Sequence, residues 1–343
     1  MENFILNKNS ASIGKRNNWI DYLKIIAIIF VIITHDPWMV ENSESVLCVL
    51  IIDMAVPIFM IVSGYNYAYS CQRRNIKKIG ELYRWKDIKE RLLRFLVPFE
   101  ILYIIEVLLL IIFKHEDFSI GKWIINMIMG GYGPGAYYTP IMIQFTFIVP
   151  VIYYFINTYK SRAWLGIFFV NFLYECLYTF LNVSESFYSR CICRYLFLIA
   201  IGVIWRELWQ DNNKKLLLLS FLVGIFYLIG AVYVWEPLIF RRWTSTSMMV
   251  GFYLFPLIVL FKTCAEQINI NKCINNIIVL CSKATFHIYL FQMLYYYAGV
   301  ERIFESFPLI LQIVSSVLVC IFGGCIFYLL TSLFFIKRGK VNV

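Results

Sequence analysis

Charge is scarce in this chain. Only 15% of its 343 residues are Asp, Glu, Lys or Arg, while 61% are hydrophobic and 18% aromatic. An ordinary globular protein carries about a quarter charged residues. With a mean hydropathy of +0.71, two or three soluble domains are excluded, because a soluble chain of this length could not hide so much apolar side chain. Histidine is scarcer still: three residues, His35, His115 and His287. The ten cysteines form no Cys-x-x-Cys pair and have no His at a zinc-ligand spacing, so no metal site is expected. Most of them sit inside apolar runs and read as small packing residues, which argues against a disulfide framework. Acidic tails, Pro-rich linkers and low-complexity tracts are absent, and no internal repeat is visible, which disfavours the inverted-repeat transporters. The first eighteen residues are polar, and the apolar run after them is long enough to stay in the membrane instead of being cleaved as a signal peptide.

What is present is a series of apolar runs, each near the roughly 20 residues that a bilayer core requires of a helix. Ten are expected: 19–40, 46–70, 95–113, 137–159, 163–181, 191–209, 216–235, 248–262, 276–297 and 308–336. Glu175 and Arg194 interrupt the fifth and sixth, and Gly323-Gly324 is a candidate kink in the last. The expected fold is an all-α integral membrane bundle of about ten transmembrane helices. It comprises a polar tail 1–18, a membrane domain 19–336 and a short tail 337–343. Placing both termini in the cytoplasm puts 24 of the 31 basic residues inside and leaves seven outside: Lys114, Lys122, Arg190, Arg194, Arg241, Arg242 and Arg302. That bias supports the span list and the orientation together. The net charge of +10 therefore concerns membrane topology and lipid, and no nucleic-acid partner is expected.

Ionisable groups inside a membrane are expensive and mark candidate sites. The first run, WIDYLKIIAIIFVIITHDPW, carries Asp21, Lys24 and His35. Lys24 and His35 are eleven residues apart, three helical turns, so they share a face roughly 16 Å apart. An interfacial Asp21–Lys24 pair with His35 among headgroups accounts for the same stripe without chemistry. His287 lies mid-span and reads more readily as packing than as catalyst; His115 reads as a loop residue. The segment 71–94, CQRRNIKKIGELYRWKDIKERLLR, holds nine cations. Orientation and anionic lipid explain most of them, but not Arg91 and Arg94 at the entrance to an apolar span. In helical register Arg84 shares a face with Arg91. Guanidinium groups there suit bidentate capture of phosphate. The run GGYGPGAYYTPIMIQ at 130–144 cannot continue a helix, and irregular backbone near a membrane persists only in protein or along a wet cavity. Tyr137 and Tyr138 could border such a cavity, or could be interfacial belt aromatics. Smaller signals are Asp53, Glu100, Glu106 and Glu236.

These pieces, in this order, resemble the membrane acyltransferase-3 family of bacterial envelope and capsule O-acyltransferases. WIDYLKIIAIIFVIITH is similar to the family's opening helix, in which ten residues separate a cation from the His. VPIFMIVSGY resembles the Ser-Gly-Tyr ending of its second helix, and KERLLRFLVPF the basic motif opening its third. GPGAYYTPIMIQFTFIVPVIYY and CSKATFHIYLFQ resemble later segments. Three positions depart from the pattern: Lys24 stands for Arg, Gln292 for a His carried by many relatives, and Tyr137 for the Trp of a Trp-Phe-Leu segment. The resemblance implies a plasma-membrane, multi-pass O-acyltransferase with no bound cofactor. Cytoplasmic acyl-CoA would be the donor, acetyl-CoA by default. An extracytoplasmic glycan hydroxyl would be the acceptor, and self-association is left open. It implies His35 and Lys24 as catalytic residues, with Arg91, Arg94, Arg84, Tyr137 and Tyr138 around the substrates. Two competing readings are a non-enzymatic transporter or flippase of a polysaccharide or lipid-linked precursor, and an assembly subunit of a capsule machine. The flippase would spread its charges along several helices, and the assembly subunit would leave His35 unexplained.

Overall fold

The computed structural model describes residues 17–114, 119–210, 214–235 and 244–337, and among them every regular element is helical. His115 and Glu236, and with them Arg241 and Arg242, lie outside the described residues. Ten helices of 15 residues or more follow one another: α1 Asn18–Thr34, α2 Ala55–Arg73, α3 Trp85–Lys114, α4 Tyr138–Tyr159, α5 Ser161–Phe180, α6 Leu196–Gln210, α7 Lys214–Ile229, α8 Val250–Ala265, α9 Lys272–Tyr297 and α10 Leu309–Lys337. Each falls on one of the expected runs. Among the described residues seven helical stretches are long and apolar enough to cross a membrane by length and composition. The helices of α6 and α8 are shorter apolar ones, and α1, at 17 residues, would rise about 25 Å.

Two physical arrangements organise the bundle. Peripheral helices leave broad apolar faces uncovered, as on α5 with Phe169, Leu173 and Phe180 and on α10 with Ile310, Phe322 and Leu330. In water such faces would drive aggregation; in lipid they cost nothing, so the chain is a multi-pass membrane protein. Central helices instead pack through small residues. A side chain at Gly64 of α2 would strike the Ile199 carbonyl of α6, and one at Gly202 would strike the Ile61 carbonyl of α2. The two backbones therefore meet at a reciprocal glycine contact, the packing solution available where no hydrophobic effect drives association. Hydrogen bonds fix the neighbours of α1. Ser282 of α9 donates to Asp21 at one level and Tyr296 of α9 donates to the Ile32 carbonyl at another, so α1 and α9 run parallel. Hydrogen bonds between His287 and Thr331 and between Tyr295 and Ser316 make α9 and α10 antiparallel.

The structure corrects several details of the sequence expectations. The first run does not continue to 40: α1 ends at Thr34, and His35 is its C-cap. Pro37 forces extended backbone on the residue before it; Asp36 has ψ 138° and caps a new short helix, Pro37–Glu41, through the Trp38 amide. Arg84 does not share a helical face with Arg91, because α3 begins only at Trp85 and the Arg84 carbonyl instead accepts the first bonds, from the Asp87 and Ile88 amides. The third run begins ten residues early for the same reason: α3 extends into the basic segment and buries Ile88. Gly323-Gly324 does not interrupt α10, which runs unbroken to Lys337. These glycines receive the Phe291 ring and the Ile288 backbone of α9. Glu175 and Arg194, which break up the fifth and sixth runs, both pack against Tyr188. Both are fully buried, Tyr188 donates to Glu175 at 2.8 Å, and the Arg194 guanidinium lies 4.6 Å from the Tyr188 ring and 4.7 Å from the Tyr195 ring. Arg194 also donates to Thr246 at 2.6 Å. Removing one member of such a cluster leaves the other buried charge less compensated, which is costly away from water. Arg194→Met is accordingly expected to lower thermal stability in detergent sharply, and Arg194→Met with Glu175→Gln to recover part of it; a melting profile of each variant is the check.

Candidate active site

A cavity of 1520 Å³ runs through the middle of the bundle. It is built from one face each of α1, α2, α3, α4, α9 and α10. Lys24, Arg91, Arg94 and Lys283 line one end; His35, Asp53, Tyr137 and Thr246 line the other. Exposed residues border it at both ends, Arg94 and Lys283 at the first and Ser43 and Glu185 at the second. The two lining carboxylates, Asp53 and Glu185, are both on the His35 side.

The cation end comes from three helices. Lys24 stands in the second turn of α1, about 60° around the helix from the buried Asp21, which α9 holds through Ser282. Asp21 does not line the cavity, so the polar stripe of α1 divides: Lys24 and His35 face inward and Asp21 locks the helix. Arg91 and Arg94 are separated by three residues on α3 and so share a face. The Arg91 guanidinium lies 4.6 Å over the Tyr67 ring, and its Nη1 is buried without a hydrogen-bond partner among the described residues. Pro98, inside α3, supplies no amide to the Arg94 carbonyl one turn back. Arg84 stands apart. It is exposed, 3.5 Å from Asp87 in an ion pair, and does not line the cavity.

The middle is aromatic and hydroxyl-bearing. Phe95 meets Phe286 edge to face at 5.1 Å, and Tyr138 packs on Tyr289 at 5.0 Å. Along α2, Ser63, Asn66, Tyr67 and Ser70 all face the cavity. Their spacing of three, four and seven is one helical stripe, a signal legible in the sequence that the reading of its charges passed over. Lys283, counted there only toward orientation, also lines the cavity.

At the far end the glycine-rich run is irregular, as expected, and its geometry is specific. Gly130, Gly131 and Gly135 have φ of +98°, +104° and +87°. Glu106, wholly buried in α3, accepts from the Tyr132 amide at 3.0 Å and pins the loop. The Gly135 carbonyl accepts from Tyr289 at 2.6 Å. A Cβ added at Gly135 would sit 3.2 Å from His35 Nε2, so bare backbone covers that edge of the imidazole. His35 donates no hydrogen bond to a carboxylate among the described residues: Asp36, its neighbour in sequence, accepts from the Trp38 amide. Tyr137 and Tyr138 both line the cavity, and Ser245 hydrogen-bonds the Asp53 carboxylate beside them.

The arrangement is a basic mouth, an amphipathic passage and an imidazole at the opposite end. A sequence profile described as an acyltransferase domain, that of the acyltransferase-3 family, matches residues 17–329. The chain belongs to the acyltransferase-3 family. No curated protein and no solved structure gives a significant match. The family's profile begins at α1 and closes within α10, so it encloses every cavity-lining residue up to Tyr328. Of the positions where this acyltransferase departs from the family pattern, Lys24 and Tyr137 line the cavity. Gln292 does not; it is fully buried, and both of its side-chain polar atoms lack partners among the described residues. Among the described residues no group of three or more His, Cys, Asp or Glu could hold a metal ion.

Proposed function

We propose that this acyltransferase moves an acyl group, acetyl in the simplest case, from cytoplasmic acyl-CoA to a hydroxyl of an extracytoplasmic glycan, such as a capsule or other envelope polymer. The observation that carries the reading is a single cavity with four cations at one end and an imidazole at the other. Phosphates of a CoA thioester suit the cations. The aromatic passage suits the apolar portions of a flexible arm. Lys24 and His35 are eleven residues apart on nearly one helical stretch, roughly 16 Å, a separation that an extended pantetheine arm can bridge, so no acyl-carrying residue between them is required. Asp53, Ser245, Thr246 and Tyr137 offer acceptors and donors of the kind that hold sugar hydroxyls.

In the proposed reaction neutral His35 removes the proton of the acceptor hydroxyl as its oxygen attacks the thioester carbonyl. The C–O bond forms, the C–S bond breaks, and the imidazolium returns the proton to the departing thiolate, leaving ester and free CoA thiol. General base assistance of this kind contributes about 10²–10⁴-fold. The proposed setting is the cell membrane, with ten crossings, both termini and residues 72–94 cytoplasmic, and His35 near the outer leaflet. The preponderance of basic residues on that side supports this orientation.

The test is transfer from labelled acetyl-CoA to an envelope glycan fraction by purified protein in lipid nanodiscs, together with cysteine accessibility at both sides of the membrane. Label in the glycan, and labelling of loop 237–247 from outside only, are expected. Absence of both transfer and acetyl-CoA hydrolysis would return the chain to the transporter class, and a cytoplasmic 237–247 would break the ten-crossing order.

A further inference from the structure

His287 is an ionisable group of the cavity to which the proposed reaction gives no role. Its ring lines the wall one turn beyond Lys283 on α9, between the cation end and His35, and it is 9% exposed. Phe286, Phe327 and Tyr328 surround it, each steeply inclined to its plane, with centroids 5.2 to 6.3 Å away. These rings fix the imidazole plane.

One nitrogen is committed. Nε2 lies 2.8 Å from the Thr331 hydroxyl oxygen. That hydroxyl has one proton, and two carbonyls of its own helix are in reach, Phe327 at 3.1 Å and Tyr328 at 3.0 Å. Threonine in an apolar helix returns its proton to the preceding turn in this way. The hydroxyl oxygen is then the acceptor, Nε2 carries the ring proton, and Nδ1 is a bare lone pair. Nδ1 has no hydrogen-bond partner among the described residues. A buried polar atom left unmatched in a cavity wall, as Arg91 Nη1 and the Tyr67 hydroxyl also are among the described residues, marks a group that a ligand can complete.

We infer that His287 is a donor-binding residue: its Nδ1 accepts a hydrogen bond from an amide N–H of the pantetheine arm as the arm passes from the cation end toward His35. The inference rests on the reading of a CoA thioester as donor. It assigns the two imidazoles different work. His35 exchanges a proton with the acceptor, whereas His287 is held in one tautomer by Thr331 and serves as a fixed acceptor. An acceptor placed there recognises an N–H or O–H and rejects a carbonyl or carboxylate.

The experiment measures affinity of the purified, nanodisc-embedded protein for CoA and for adenosine 3′,5′-bisphosphate, a nucleotide that carries phosphate but no arm. His287→Leu is expected to weaken CoA about threefold to tenfold, the worth of one hydrogen bond, and to leave the nucleotide within about twofold of the parent. His287→Asn, whose amide oxygen can stand near the position of Nδ1, is expected to recover most of the CoA affinity. Equal losses for both ligands, or an unchanged CoA affinity in His287→Leu, overturns the assignment. Should His287→Leu fail to yield folded protein, Thr331→Val decides. It frees Nε2 from its acceptor while keeping the ring, and is expected to weaken CoA but not the nucleotide; parental CoA affinity in that variant overturns the proposal as well. Failure of the parent to bind CoA at all would instead remove the donor reading, and with it this assignment.

Discussion

His35→Ala is expected to abolish acyl transfer, by at least about a hundredfold, while the protein still folds, inserts and binds CoA. The physical grounds are the position of the ring. His35 closes α1 as its C-cap, the chain turns away at Asp36-Pro37, and the imidazole is left at the end of the cavity farthest from the cations. Its loss removes no hydrogen bond from the wall, because no hydrogen bond from its ring holds the fold together among the described residues. Stability should therefore change little. His35→Gln is expected to be nearly as inactive, since an amide hydrogen-bonds but takes no proton at neutral pH. Transfer assays and CoA binding on the same preparations separate the outcomes. Transfer within a few-fold of the parent in His35→Ala would remove this residue as the base. Gly135 supplies an independent check of the same geometry: at φ +87°, with a Cβ there falling 3.2 Å from His35 Nε2, it admits no side chain without backbone strain and a shift of its neighbours. Gly135→Ala should lower transfer without weakening CoA.

Arg91→Ala combined with Arg94→Ala is expected to weaken CoA binding by at least about a hundredfold, because each guanidinium–phosphate bond is charge-assisted and worth about 1.5–3 kcal/mol. Expression and insertion should hold, as the other cations of residues 73–89 suffice for orientation. Arg84→Ala is the internal control. Its side chain is 59% exposed, paired with Asp87 and outside the cavity, and a surface pair of this kind contributes little; its CoA affinity should stay within about twofold. Unchanged affinity in the double variant would return the whole cluster to a lipid-contact role. Lys24→Arg should be tolerated if Lys24 acts by charge alone, and impaired if its point-like ammonium matters.

Much of the site was legible before folding because a helix converts spacing into direction. Lys24 and His35 at an interval of eleven, and Arg91 and Arg94 at three, needed only the helical period to share a face. The glycine-rich run announced irregular backbone because Gly and Pro cannot extend a helix. Helix boundaries were less legible. Arg84 shares a face with Arg91 only if one helix includes both, and nothing in the local composition marks Tyr83-Arg84 as the point where the chain turns. The role of the α2 stripe was legible in principle, yet Ser63, Asn66, Tyr67 and Ser70 are uncharged and each is ordinary in a membrane helix.

Composition and periodicity by themselves determined that this chain lives in a membrane, which stretches are helical, and that cations gather at one end of α1 and an imidazole at the other. Only the tertiary structure decided the rest. Asp21 and Lys24 sit three residues apart, and folding turns one onto Ser282 and the other into the cavity. Glu175 and Arg194 look like two unwelcome charges, and folding makes them one cluster around Tyr188. His287 resembles a packing residue until Thr331, 44 positions away, engages its Nε2 and leaves Nδ1 without a partner among the described residues. In each case the deciding partner lies on another helix. Sequence spacing fixes direction within one helix, but the meeting of two helices depends on close packing, as at Gly64 against Ile199, which no single segment encodes.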